Sequence, residues 1–148
     1  MVDAALRQKM EHIAAPSPLG EAMVHALLAG GKRLRPFLLV ECAGLFGKRP
    51  EEVLSAAIGL ECLHTYSLVH DDLPAMDDDD VRRGQPTVHK AFDEATAILT
   101  GDGLLTLAFQ CLGETETHDD PEVRADLVVE LAKAAGASGM VGGQMLDL

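Results

Sequence analysis

The stretch His70-Asp71-Asp72-Leu73-Pro74-Ala75-Met76-Asp77-Asp78-Asp79-Asp80-Val81-Arg82-Arg83-Gly84 closes a long apolar helical run and turns it into a dense cluster of charge. Two carboxylates end the run, a proline stops it, four more carboxylates follow, and two arginines and a glycine complete the segment. Magnesium and similar hard cations bind through a few carboxylates together with substrate phosphates. Arginine forks match phosphate oxygens bidentately. Acid and base packed together therefore point to a metal-bridged anion, with a solvated acidic loop as the plain alternative. A calcium loop is a poor match, because alternating acids around a central Gly with a closing Glu are absent.

Upstream, Pro50-Glu51-Glu52 opens the helix that carries this motif, with proline and acids in its first turn. The run to about Leu73 is apolar nearly all round, which predicts a central, buried helix. Ala57, Leu60, His64, Ser67 and Asp71 share one stripe of it by their helical spacing. A histidine on such a face is ordinarily a satisfied core residue. Two turns below a carboxylate pair, His64 is also a candidate to face the same cavity.

Gly30-Gly31-Lys32-Arg33-Leu34-Arg35-Pro36 ends one apolar helix, Leu19 to Leu28, and starts another from Pro36 to Phe46. Cations on a glycine-permissive backbone before a helix N-terminus can hold an anion, and an ordinary basic inter-helix loop reads the same way. Residues 3–14 carry a short amphipathic pattern that Pro16-Ser17-Pro18 ends. Downstream, Gln85-Pro86-Thr87 reads as a turn and His89 to Leu99 as a helix. Gly101-Asp102-Gly103 reads as an interruption before a helix from Leu104 to Leu112. Glu114 to Asp120 reads as a polar loop, and Asp120-Pro121-Glu122 caps a helix to about Ala135. Nothing alternates with period two, so the chain is expected to be all-α.

Composition narrows the function. Of 148 residues, 47% are apolar and 3% aromatic, a profile of packed helices rather than a β-sandwich. The net charge of −12 argues against a nucleic-acid partner, which needs a basic footprint. It leaves room for a small diphosphate held by local cations. Cys42, Cys62 and Cys111 lie in apolar runs without CxxC spacing, which predicts buried free thiols of a reducing, cytoplasmic compartment. No apolar run is read as long enough to span a membrane. The last residues, Gln144 to Leu148, read as a helix still in progress, and helices this apolar need partners on several sides. The expectation is that part of the core is missing or comes from another chain, and that the chain exposes apolar faces and associates.

GGKRLRP at 30–36, ECLHTYSLVHDDLPAMDDDDVRRGQPTVHKAF at 61–92, GDGLLTLAF at 101–109 and GMVGGQMLDL at 139–148 together resemble the trans-isoprenyl diphosphate synthases, the polyprenyl synthetase family. Among them the likeness is closest to the bacterial farnesyl-diphosphate-forming members. The resemblance implies an all-helical, isoprenoid-synthase-type bundle around a central cavity, usually dimeric, of which residues 1–148 form the N-terminal portion. It implies condensation of isopentenyl diphosphate with an allylic diphosphate, dimethylallyl or geranyl. On that likeness Asp71 and Asp77 hold magnesium on the allylic diphosphate, Asp72 belongs to the same motif, and Arg82 meets that diphosphate. Lys32, Arg35, His64 and Arg83 hold the diphosphate of isopentenyl diphosphate. Tyr66 and Ser67, just before the motif, set chain length, and the aromatic points to farnesyl rather than geranylgeranyl product. The family's second aspartate-rich motif is not among these residues, so the chain by itself is expected to be inactive. A non-catalytic partner of a full-length synthase is the other reading.

Overall fold

The computed structural model describes all of residues 1–148. Eight helices follow one another: α1 (Val2–Glu11), α2 (Leu19–Leu28), α3 (Leu34–Gly44), α4 (Leu54–Asp71), α5 (Val88–Ala91), α6 (Glu94–Gly113), α7 (Pro121–Ala135) and α8 (Met140–Asp147). A 3-10 turn, Pro50–Val53, leads into α4. Between α4 and α5 lies one antiparallel ribbon, β1 (Val81–Arg82) with β2 (Gln85–Pro86), in the register Val81↔Pro86 and Arg82↔Gln85. The all-α expectation holds, with this two-residue ribbon as its one exception.

α4 and α6 form the central pair, with α2 packed over both, α1 against α2 and α4, α3 against α4 and α7 against α6. Leu6, Ala22, Leu27, Cys62, Ala97, Leu104 and Ala108 are wholly buried between them. Small residues set the spacing of the central pair. A side chain added at Gly59 would press on the Ala108 carbonyl at 3.0 Å, and one at Gly101 would overlap the His70 ring. Gly101-Asp102-Gly103 therefore does not interrupt a helix. It lies inside α6, because tight packing on α4 outweighs a glycine's weak helix propensity.

Removing that supposed break also revises the reading of membrane-span length. α6 is 20 residues long and apolar enough to cross a bilayer by length and composition, but here it is the helix against which α2, α4, α5 and α7 pack. The actual break falls earlier, at Phe92-Asp93. Asp93 is extended and caps α6, its carboxylate accepting from the Thr96 backbone N–H at 2.7 Å and the Thr96 hydroxyl at 2.9 Å. The Asp120-Pro121 start of α7 is as expected, with the Asp120 carboxylate accepting from the Glu122 N–H at 2.8 Å.

α3 begins at Leu34, two residues before Pro36. Proline is tolerated there because first-turn N–H groups have no intrahelical acceptor to lose. α3 packs on one side only, leaving Phe37, Leu38, Leu45 and Phe46 exposed. Cys42 is exposed for the same reason, contrary to the expected burial, while Cys62 and Cys111 are buried free thiols. α8 likewise exposes Met145, Leu146 and Leu148. The expected apolar outer faces are thus present.

Candidate active site: acidic and basic clefts on one helix

α4 carries the chemistry because its C-terminal turns are polar on one face and its end coincides with the aspartates. The helix stops at Asp71, and Asp72 is its C-cap. The turn that follows folds back on it, the Asp77 N–H donating to the Asp71 carbonyl at 2.8 Å. This brings Asp77 beside Asp71 despite the six-residue separation. Burial first, and the negative charge of Asp77 second, push the Asp71 carboxyl above the ordinary carboxylate range; Arg82 and the Gln144 amide pull the other way. Gln144 of α8 donates its side-chain N–H to Asp71 Oδ1.

Asp72 behaves differently. It is buried, and its Oδ1 accepts from Arg82 Nε at 2.6 Å, while Arg82 Nη2 reaches Asp79 Oδ2 at 3.1 Å. Even so, burial dominates and holds the Asp72 carboxyl above its usual range. Arg82 is thereby fixed between two carboxylates at the edge of the motif, with one guanidinium nitrogen uncommitted.

Next to Asp71 a cavity of about 390 Å³ is lined by Tyr66, Ser67, Met76, Ile98, Val141 and others, mostly apolar. Tyr66 is buried with its ring edge-on to His70, centroids 5.4 Å apart. Burial and Asp71 raise its phenol pKa, so the ring remains neutral. Asp71 thus sits at the mouth of an apolar pocket whose wall includes both residues singled out before the motif.

Two turns earlier on α4, a second cavity of about 510 Å³ is lined by Lys32, Arg33, Arg35, Glu61, His64 and Arg83. Arg35 Nη1 donates to His64 Nε2 at 3.2 Å. Burial and the positive charge of Arg35, Arg83 and Arg82 lower the His64 pKa to about 4, Glu61 opposing. The imidazole is neutral at physiological pH, with Nε2 as an acceptor. Arg83 is anchored on the Gly30 carbonyl, and a side chain at Gly31 (φ 145°) would collide with its guanidinium. Lys32 is exposed and makes no hydrogen bond or ion pair.

Of the three basic residues in the loop, Arg33 turns inward. It takes a left-handed backbone (φ 47°) as the N-cap of α3, and its guanidinium meets Glu61 at 2.6 Å, Asp3 at 2.8 Å and the Leu27 carbonyl at 2.8 Å. Nothing in the charge pattern distinguished it from Lys32 or Arg35. The partial signal was Glu61, an acid in the middle of an apolar run, where a buried charge demands a partner. The structure gathers Lys32, Arg35, His64 and Arg83 around one cavity. It gathers Tyr66, Ser67 and Asp71 around another, with Asp72 and Arg82 paired alongside.

The molecule is thus an all-helical protein with an acid-rimmed apolar cleft and a basic cleft on a single central helix. The family model for polyprenyl synthetase matches residues 16–148, and the chain belongs to that family, with its all-α isoprenoid-synthase fold. It is similar to farnesyl diphosphate synthase of Geobacillus stearothermophilus, 53% identical over 99% of this chain and 50% of the relative. The corresponding Escherichia coli (strain K12) protein is 52% identical over 89% and 44%. A crystal structure of geranyltransferase from Legionella pneumophila superposes with a TM-score of 0.94 at 45% identity, over 99% of this chain and 52% of that one. The chain spans about half the length of the curated relatives it matches.

Proposed function

We propose that residues 1–148 are the N-terminal portion of one polyprenyl synthetase domain, and that the protein condenses isopentenyl diphosphate with dimethylallyl or geranyl diphosphate to give farnesyl diphosphate. The observation that carries this reading is the division of α4 into an acid-rimmed apolar cavity and a basic one two turns away. An allylic diphosphate has an apolar tail and an anionic head, which suits the first. Isopentenyl diphosphate is mostly head, which suits the second.

Asp71 and Asp77 are the proposed metal-holding pair. Their hard oxygen donors, and a charge at Asp71 that burial and Asp77 leave poorly neutralised, fit a magnesium ion. Asp71 and Asp77 would hold the ion against the diphosphate head, where it would supply positive charge to offset the leaving diphosphate as the allylic C–O bond breaks to a delocalised carbocation. Arg82 adds positive charge on the same side, while Asp72 holds Arg82 in place. Lys32, Arg35, Arg83 and neutral His64 orient the second diphosphate so that its double bond attacks the cation and a C–C bond forms. The departed diphosphate then takes a proton from the adjacent carbon, which closes the new double bond. The apolar lining around Tyr66 keeps water from the cation. Tyr66 and Ser67 limit how long a chain the cavity accepts. The protein is taken to work as a cytoplasmic homodimer, in keeping with its exposed apolar faces and free thiols.

Two measurements test this. Calorimetry should detect geranyl diphosphate binding to the chain only with magnesium, and not in Asp71→Asn; equal binding without metal and in the variant overturns the reading. A chimera joining residues 1–148 to the remainder of the Geobacillus relative should make a fifteen-carbon product from labelled isopentenyl diphosphate, whereas 1–148 alone should not turn over. A twenty-carbon product assigns geranylgeranyl synthesis instead. Stimulation of a full-length homologue by the unfused chain assigns the partner-subunit role.

A further inference from the structure

We infer a second cation site, separate from Asp71 and Asp77, formed by Asp78, Asp80 and His89 and suited to a divalent transition ion of the zinc or manganese class. Ligand atoms of these three residues, a ring nitrogen and one oxygen of each carboxylate, all lie within 4.8 Å of one another. The ribbon builds the juxtaposition. Pairing of Val81 with Pro86 sets Asp80 opposite Thr87, whose N–H donates to the Asp80 carbonyl at 3.0 Å, and His89 follows in the first turn of α5. Asp78 adopts a left-handed backbone (φ 54°) at the start of the same turn.

The histidine is what distinguishes this cluster from an acidic loop. His89 is more than nine-tenths buried, and its Nε2 is out of contact with solvent and without a hydrogen-bond partner. Its tautomer follows from Thr87. The Thr87 hydroxyl lies 2.8 Å from the Asp79 carbonyl, which can only accept, so the hydroxyl proton goes there. The contact between Thr87 Oγ1 and His89 Nδ1 at 3.1 Å must then be donated by the ring, Nδ1–H to oxygen. In the neutral ring the lone pair then falls on Nε2, which has no partner, while a hydrogen bond on the opposite nitrogen orients the ring. That is the state of a metal-binding imidazole with its outer-shell partner already in place.

The donor set selects the ion. Two carboxylates alone suit magnesium or calcium, whereas an added imidazole favours first-row transition ions. Ligands on a common tetrahedral ion at about 2.0–2.2 Å sit roughly 3.5 Å apart, so closure asks little of the exposed Asp78 and Asp80 side chains. Lys90 Nζ already rests 2.9 Å from Asp80 Oδ1, a cation at the same rim. That pair is largely exposed, and such pairs hold weakly, so an ion displaces it. Bound there, the ion ties the turn carrying Asp77 and Arg82 to α5.

Cobalt(II) is the probe, added to the full chain in excess magnesium so that oxygen-only sites are filled. The visible d–d spectrum and the ¹⁵N signals of the histidine rings report ligation directly, with no substrate present. Asp78→Asn, at an exposed side chain without structural contacts, should weaken cobalt binding at least tenfold, and Lys90→Met should strengthen it several-fold. His89→Gln should remove nitrogen ligation, while Asp71→Asn should leave all of these signals unchanged. Cobalt binding that survives Asp78→Asn, or that is lost with Asp71→Asn, or that lacks a His89 signal, overturns the assignment.

Discussion

Replacing Arg33 by methionine separates the basic residue that holds the fold from those proposed to hold substrate. Arg33 has 12% of its side chain exposed and Glu61 only 2%, and the two meet at 2.6 Å. Glu61 Oε2 already lacks a partner, so Arg33 is all that balances that carboxylate besides its helix surroundings. Taking one member from a buried ion pair costs about 3–5 kcal/mol, because the other charge stays buried and uncompensated. Arg33→Met also strips a donor from the Leu27 carbonyl at the end of α2, which adds about 1 kcal/mol. The contact with Asp3, 63% exposed, contributes little. A loss of about 4–6 kcal/mol is expected in urea unfolding followed by helical circular dichroism. The double variant Arg33→Met/Glu61→Leu should recover most of it, since replacing both partners of a buried pair by apolar groups is close to neutral. Strictly additive losses in the double variant, or a loss below about 1 kcal/mol in the single one, refute the reasoning. Where the protein stays folded, diphosphate affinity should be little changed by Arg33→Met and weakened by Lys32→Met or Arg35→Met.

Further outcomes follow from the site and the caps. Because the unfolded His64 takes up a proton near pH 6.5 and the folded one only near 4, stability should fall as pH drops through that window. After discounting for partial solvent access the loss is about 1–2 kcal/mol, and His64→Gln should remove that part of the slope in paired unfolding curves at pH 7.5 and 4.5. In a catalytically active chimera, Tyr66→Ala should open the 390 Å³ cavity and shift the product toward longer chains, read by chromatography of the dephosphorylated prenols. Asp93→Ala removes two cap hydrogen bonds from α6 and should lower stability by about 1 kcal/mol, a fall of roughly 2–4 °C in thermal unfolding.

Much of this architecture was legible where local chemistry and packing agree. Gly30-Gly31 after α2, Asp120-Pro121 before α7 and the proline after the paired aspartates mark boundaries that the backbone respects closely. The failures share a cause. Gly101 and Gly103 read as a break, because the sequence does not reveal that the His70 ring and the Met23 sulfur need the room they leave. Asp93 was overlooked as a cap inside what periodicity joined into one helix. Cys42 looked interior because apolar neighbours do not state which side of α3 has a partner. At the site, the loop's composition announced a basic cleft, but which of three adjacent cations turns inward depends on one left-handed residue, Arg33, and on an acid 28 positions away.

The seating of His70 against Gly101 couples the two central helices at the residue immediately before Asp71. The ring lies where a methyl group on α6 would be, and its Nε2–H donates to the Ile98 carbonyl at 3.0 Å. The first aspartate is therefore levelled from behind, by a helix that contributes no charge to the motif. Gly101→Ala would lift the ring and tilt that carboxylate without altering any residue of the acidic turn. A search for variants that tune the proposed metal-holding pair should therefore begin on α6, on the far side of the aspartates it is meant to adjust.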